Sequence, residues 1–281
     1  MFKNLQFYQK VIVLLWLGFS AGNFAQAATD CNQVTEIPVS ECQSLLELYN
    51  STGGDNWTNS TGWNQTNTPC SWFGVVCSGG YVERLYLYSN QLTGSIPNFS
   101  NLPNLKELYL YSNQLTGSIP NFSNLPNLKE LSLYSNQLSG SIPNFSNLPN
   151  LQYLWLGSNQ LTGSIPNFSN LPNLTWLYLG NNQLTGSIPN FSNLPNLKEL
   201  SLYSNQLTGS IPNFTSFNLA NLKYARFNNN CGLVAYDAAQ EAVLNQEDSG
   251  WKTLNPNCPV YYNLTLNKTG SAVLLVEAGV L

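Results

Sequence analysis

Residues Leu85–Glu107 read LYLYSNQLTGSIPNFSNLPNLKE, and the same pattern returns five more times at a spacing of 23 residues. The copies begin at Leu85, Leu108, Leu131, Leu154, Leu177 and Leu200. Self-similarity at such a period marks a solenoid, whose units bury apolar side chains against their neighbours instead of in separate cores. In the second copy the apolar positions are Leu108, Leu110, Leu115, Ile119, Phe122, Leu125 and Leu128. Leu108 and Leu110 flank an outward Tyr109, which is the period of two of a short strand. Gly117 and Pro120 then break regular structure. The pattern predicts one strand per unit, stacked in parallel with its neighbours, followed by a turning coil.

The copies differ most at the outward strand positions. Four of them carry Tyr-Ser after the second strand leucine (Tyr88, Tyr111, Tyr134, Tyr203), whereas the fourth and fifth carry Gly157-Ser158 and Gly180-Asn181. The same two copies place Tyr153, Trp155, Trp176 and Tyr178 outward. Strand alternation brings these four to one surface, with glycines making room beside them, an aromatic platform next to a recess. Cross-strand stabilisation at about 0.2–1 kcal/mol per pair accounts for a tyrosine ladder. It does not account for two adjacent copies exchanging charged residues for aromatic or neutral ones and tyrosine for glycine. Exposed aromatics with polar neighbours suit stacking on sugars or anchoring a peptide. The candidate ligand face is therefore Tyr153, Trp155, Trp176 and Tyr178, with Tyr109, Tyr111 and Tyr134 alongside.

Ahead of the repeats, residues 1–27 read as a secretory signal: Lys3 and Lys10, the apolar run Val11–Ala21, and Ala25-Gln26-Ala27 before a cut at Ala28. The apolar run is too short for a spanning helix, which needs about 20 residues. No membrane span is expected in the mature chain, and its location is secreted or cell-surface. Without the signal, eight Lys and Arg face fourteen Asp and Glu, a net of −6. That balance disfavours nucleic acid and anionic membranes. Charged residues make up only 9% of the chain, so the surface is built mainly from neutral Asn, Ser and Thr.

Six cysteines in an exported chain imply disulfides. Six stacked strands at roughly 4.8 Å put about 30 Å between Cys31, Cys42, Cys70 and Cys77 on one side and Cys231 and Cys258 on the other. No disulfide spans that distance, so Cys231 pairs with Cys258. Three arrangements remain for the first four, and sequence neighbours favour Cys31–Cys42 with Cys70–Cys77. Zinc is the competing use, but the close cysteine pairs of such sites are missing and export favours oxidation.

Residues 28–84 form the N-terminal cap. Ser40 with Gln43 predicts a capping box opening a short helix through Leu45, Leu46, Leu48 and Tyr49. Trp57, Trp63 and Trp72 sit in a turn-rich polar stretch and are expected to pack on the open end of the first coil, a separate sugar-binding loop being the competing reading. The repeats run over 85–224. The unit over Phe214–Leu222 is two residues longer than its counterparts, and Ala225 and Phe227 replace strand leucines, so the stack is expected to close there. A helix over Tyr236–Gln246, Trp251 and the Cys231–Cys258 link would cover it as a C-terminal cap over 225–258. The tail, 259–281, reads as one or two strands without a partner sheet.

The run Leu105-Lys-Glu-Leu108-Tyr-Leu110-Tyr-Ser-Asn113-Gln-Leu115-Thr-Gly117-Ser-Ile119-Pro120 resembles the plant-specific class of leucine-rich repeats. That class occurs in receptor ectodomains, polygalacturonase inhibitors and some exported microbial proteins. Its N-terminal cap motif is matched by Pro69-Cys70-Ser71-Trp72-Phe73-Gly74-Val75-Val76-Cys77. The resemblance implies an α/β solenoid, a right-handed superhelix with a parallel β-sheet on the concave face and ligands bound there. It also implies that Asn90, Asn113, Asn136, Asn159, Asn182 and Asn205 hydrogen-bond backbone inside the coil. One departure stands out: Phe122 follows Pro120 by two places, where the family usually has three.

Enzyme chemistry finds little foothold. There is no histidine, no glycine-rich phosphate loop and no ligand cluster for a metal or cofactor. Glu107 and Glu130 beside Lys106 and Lys129 read as a solvated ion-pair ladder rather than as an acid and base. The expected function is recognition of a protein or glycan on the concave face. The alternative is a structural or surface-adsorbing protein, because columns such as Thr116-Gly117-Ser118 repeat regularly enough to meet ice or a polysaccharide fibre.

Overall fold

The computed structural model describes residues 28–212, 222, 224–230 and 232–234, together with the backbone of Tyr261–Leu264 and Ala272–Leu275. The signal sequence, the lengthened unit before Leu222, the helix expected over Tyr236–Gln246, Trp251 and the Cys231–Cys258 link lie outside the described residues. The two tail strands pair antiparallel with each other.

The repeats form a solenoid around one long eight-stranded sheet. Its first strand, Val75–Ser78, runs antiparallel to Tyr81–Tyr86 and covers the N-terminal edge, an arrangement that removes an open template for pairing. Gly79 and Gly80, at φ +59° and +81°, make the two-residue turn between them. From Tyr81–Tyr86 the strands are parallel and in register: Glu107–Tyr109, Glu130–Ser132, Tyr153–Trp155, Trp176–Tyr178, Glu199–Ser201 and Tyr224–Arg226. We number the coils 1 to 7 after these seven strands. The seventh shows that replacing leucine with Ala225 and Phe227 does not end the sheet, because the Glu199↔Tyr224 pairing continues it.

Each coil holds a second extended stretch, where the sequence predicts only turning coil. Ser139–Ser141, Gln160–Ser164, Gln183–Gly186 and Gln206–Leu207 form a four-stranded parallel sheet, prolonged by bridges Ser95↔Thr116 and Ser118↔Ser139. The reason is backbone satisfaction: once the long sheet fixes the stacking, the N–H groups here meet carbonyls of the preceding coil, as in Gln137 N to Leu115 O at 2.8 Å. Leu115 and Ile119 point inward, while Thr116, Gly117 and Ser118 stay exposed.

The repeat leucines are buried, and phenylalanine turns the corner. Phe99, Phe122, Phe145, Phe168 and Phe191 are at most 1% exposed, yet each adopts φ of +49° to +50°. The left-handed region costs a bulky L-residue about 1–2 kcal/mol. Burying a phenylalanine stabilises by about 1.5–3 kcal/mol, which offsets it. The short Pro-to-Phe spacing is thus accommodated by backbone conformation. The preceding Asn121, Asn144, Asn167 and Asn190 side chains accept from the N–H two residues on, fixing the turn.

Two asparagine ladders hold the coils together. Inside, Asn136 accepts from Leu115 N at 3.0 Å and donates to Leu110 O at 3.0 Å and Leu133 O at 3.1 Å. The pattern recurs through Asn205 and continues to Asn230 in coil 7. Outside, Asn127, Asn150, Asn173 and Asn196 each donate to a proline carbonyl of the preceding coil. The first ladder matches the implied role; the sequence reading did not separate out the second.

In the N-terminal cap the helix runs Val39–Ser51 and starts at Pro38, with no side-chain cap. Ser40 is thus inside the helix and makes no capping box, because the Pro38 carbonyl already accepts from Glu41 N and Cys42 N. Cys31–Cys42 and Cys70–Cys77 are both bonded. Trp57, Trp63 and Trp72 are buried in mutual ring contact at 5.0 Å centroid spacings, and each indole N–H donates to a cap oxygen. They are core, as their packing role requires.

Candidate ligand-binding face

Strand alternation turns three columns of side chains outward from the long sheet. Following the strand register, the first column reads Arg84, Glu107, Glu130, Tyr153, Trp176, Glu199, Tyr224 from coil 1 to coil 7. The second reads Tyr86, Tyr109, Ser132, Trp155, Tyr178, Ser201, Arg226. The third carries Tyr88, Tyr111, Tyr134, Gly157, Gly180 and Tyr203 over coils 1 to 6.

Tyr153, Trp155, Trp176 and Tyr178 meet as one cluster. Within a strand the rings are nearly parallel: Tyr153 and Trp155 at 5.4 Å and 7°, Trp176 and Tyr178 at 6.3 Å and 7°. Between strands they meet edge to face, Tyr153 with Trp176 at 4.8 Å and Trp155 with Trp176 at 5.9 Å. Trp155 also reaches Tyr109 at 6.4 Å, across Ser132, whose small side chain is buried beneath. Tyr109 in turn contacts Tyr111, which stacks on Tyr88 at 4.7 Å. All four cluster rings remain partly exposed.

Tyr134 stands apart from this file and lines a recess of about 350 Å³ on its C-terminal side. Tyr178, Tyr203, Tyr224, Ser201 and Arg226 complete the lining over Gly157 and Gly180. The glycines are required by their neighbours: a Cβ on Gly180 would lie 2.2 Å from the Tyr203 ring, and one on Gly157 would lie 3.0 Å from the Gly180 carbonyl. The sequence reading named Tyr134 and Tyr178 for the ligand face and Tyr203 only as part of the outward tyrosine column, and it missed Ser201, Tyr224 and Arg226. A small residue at Ser201, between Tyr178 and Arg226 in the second column, was the available signal.

The carboxylates of this face are held by phenols. Tyr86 donates to Glu107, Tyr109 to Glu130 and Tyr178 to Glu199, each reaching one coil forward. Burial, and then the hydrogen bond to Glu107, pushes the Tyr86 phenol up to about 12. Burial and the same kind of bond raise Tyr109 and Tyr178 well above the ordinary phenol range. The expected Lys–Glu ladder is not what forms: Lys106 pairs with Glu83 at 2.5 Å, and Arg84 with Glu107 at 3.2 Å. Adjacent Lys and Glu point to opposite sides of a strand, whereas a tyrosine and the glutamate diagonal to it share one face. Among the described residues no cluster of potential metal ligands occurs, and no helix is long and apolar enough to cross a membrane.

Comparison with known proteins agrees with this geometry. The leucine-rich repeat model matches residues 82–124, 103–147, 126–170 and 172–216, and the leucine-rich repeat N-terminal domain matches 40–78. Pollen receptor-like kinase 2 of Arabidopsis thaliana is 41% identical over 58 residues, 21% of this chain. The chain spans under a tenth of the length of the curated relatives it matches, 9% in that case. The crystal structure of a pollen receptor kinase 3 superposes with a TM-score of 0.59 at 34% identity, covering 68% of this chain and 94% of that one. A plant ice-binding protein superposes at 0.62 and 32% identity, covering 71% and 73%. Repeat period, parallel sheet, asparagine ladder, cap motif and these matches all agree, and the chain belongs to the leucine-rich repeat family.

Proposed function

We propose that this chain is an exported recognition module that binds a protein or glycan ligand on the concave face of its long sheet, with no chemistry done on the ligand. The observation that carries the reading is the junction of the partly exposed aromatic cluster with the recess, which share Tyr178. A concave site with aromatic walls and a few polar groups is the usual form of a ligand site. The face is mainly aromatic rings and hydroxyls, and its few carboxylates are engaged by phenols or by Arg84. Neutral hydroxyl-rich or peptide ligands fit that character better than nucleic acid. The test is a binding screen of immobilised glycans and secreted proteins against the purified chain, repeated with Trp155→Ala/Trp176→Ala. Binding that survives the double change would sink the assignment.

A second reading, adsorption to ice or a polysaccharide fibre, is supported by the exposed Thr and Ser columns of the four-stranded sheet and by the similarity to a plant ice-binding protein. Inhibition of ice recrystallisation that is lost on replacing Thr116, Thr162 and Thr185 with a charged residue, and kept in the double tryptophan variant, would favour it over the first.

A further inference from the structure

Two arginines face outward near the ends of the concave sheet, and their surroundings differ. Arg84 in coil 1 is neutralised, with Glu83 at 3.3 Å and Glu107 at 3.2 Å. Arg226 in coil 7 makes no ion pair with any described carboxylate; its guanidinium lies 4.9 Å over the Tyr224 ring. Glu199, on the preceding coil, accepts from Tyr178. The recess therefore has an exposed cation in its wall, on a face whose other described arginine is cancelled.

Resting on the concave-face reading, we infer that this recess takes one carboxylate-bearing sugar, a uronate, of an otherwise neutral glycan lying along the aromatic file. A guanidinium fits a carboxylate in a two-pronged, charge-assisted geometry. The remaining lining is four phenols, one serine hydroxyl and two glycines, with no aliphatic side chain, so it offers hydroxyl partners and ring faces but no socket for an aliphatic residue. A peptide main chain would find no free strand backbone here, since Leu179 N donates to Ser201 O and Leu202 N to Arg226 O, both at 2.8 Å. About 350 Å³ is near the lower end of ligand sites, roughly 300–1,000 Å³, and suits a single ring. One acidic sugar is specified rather than a run of them, because Glu107, Glu130 and Glu199 line the rest of the face.

The experiment is calorimetric titration of the full mature chain with two neutral-hexose oligosaccharides that differ only in a terminal glucuronate or a terminal glucose. The uronate form is expected to bind about tenfold or more tightly. Arg226→Gln is expected to abolish the difference between the two forms, and Arg226→Lys to keep part of it. Equal binding of both probes by the wild-type chain, or a preference that persists in Arg226→Gln, overturns the inference. So does tighter binding of an acidic peptide that depends on Arg226. A wild-type chain that binds neither sugar also overturns it. The concave-face reading is judged separately, by the effect of the double tryptophan change on whatever ligand the broader screen returns.

Discussion

The Tyr178 hydroxyl donates to the carboxylate of Glu199 on the next coil. Wherever the second outward column holds tyrosine in this way, the next coil offers glutamate: Tyr86 to Glu107 and Tyr109 to Glu130 complete the set. Where that column holds Ser132, Trp155 or Ser201, the next coil carries Tyr153, Trp176 or Tyr224 instead. The glutamate-to-aromatic exchange therefore follows the loss of a phenol donor one coil earlier. Packing explains part of the platform, and what it leaves for recognition is Trp155 itself and the glycine pair.

Tyr178→Phe and Glu199→Gln are each expected to cost about 1 kcal/mol, the lower part of the range for a charged hydrogen bond, because both groups are partly exposed. Combining them should cost little more than either alone, since they remove one interaction. Urea unfolding of the two single variants and the double variant checks this. Additive losses would show that the rung contributes nothing of its own.

The phenols also set an alkaline limit. A tyrosine whose folded value lies above its unfolded value of about 10 keeps its proton in the fold after the unfolded chain has released it. The associated stability is fully present below about pH 10 and is lost as pH rises through the folded value, about 12 for Tyr86 and for Tyr49. Absorbance titration of phenolate should find these two, with Tyr109 and Tyr178, still protonated at about pH 11 in the folded chain. Replacing Tyr109 and Tyr178 with Phe should shrink that late-titrating group by two.

The inner asparagine ladder predicts a large effect from a polar residue. Removing Asn136 strands the buried Leu115 N–H and takes a donor from Leu110 O and Leu133 O. The two carbonyls keep Asn113 and Asn159 as donors, so at about 1–3 kcal/mol for the one stranded group and about 1 kcal/mol for each other lost bond, Asn136→Ala should cost about 3–5 kcal/mol. Asn150 makes a single exposed bond, to Pro126 O, and Asn150→Ala should cost no more than about 1 kcal/mol. Denaturant midpoints of the two variants give the comparison, and similar values would mean the inner ladder is not what locks the coils.

Most of the architecture was legible because each coil repeats its instructions. The leucine columns, the strand at Leu108–Leu110, the cap tryptophans and the two N-terminal disulfides follow from spacing and from the cap motif. The second sheet was not legible, because Leu115-Thr-Gly-Ser-Ile119 looks like a turn until the neighbouring coil supplies its hydrogen-bond partners. The left-handed phenylalanines were hidden for the same reason: propensity argues against Phe122 at φ +50°, and only the burial of its ring overrides that. On the ligand face, alternation brought Tyr153, Trp155, Trp176 and Tyr178 together. Gly157 and Gly180 already marked a recess beside them, but its far wall needed coordinates, since Arg226 belongs to a strand whose leucines are replaced.

Gly180 tests whether the recess matters. Its backbone carries no positive φ, so alanine there is not strained locally, but the new Cβ would fall 2.2 Å from the Tyr203 ring and push it aside. Gly180→Ala is expected to leave the thermal midpoint within a few degrees of wild type, a shift of about 1 kcal/mol, while weakening ligand binding about tenfold or more. Unchanged affinity would place the ligand elsewhere on the face.

The double change Trp155→Ala/Trp176→Ala separates binding from folding, although less cleanly than the sequence suggests. Outward residues beside the Leu154, Leu156, Leu177 and Leu179 core are expected to cost only a cross-strand pair each, up to about 1 kcal/mol. Trp155, however, touches Tyr109, Tyr153 and Trp176, and Trp176 touches Tyr153 and Tyr178 as well. Aromatic pairs contribute about 0.5–1.5 kcal/mol each beyond burial, so the loss of these five pairs should cost the double variant about 2.5–7.5 kcal/mol. The asparagine ladders and the leucine core are untouched, so it should still unfold cooperatively. Loss of ligand binding by a variant that keeps its native circular dichroism would mark the tryptophans as contacts. The control is Tyr153→Leu, which weakens the same cluster from a neighbouring position and removes no tryptophan. If both variants lose affinity in proportion to stability, the rings only support the sheet.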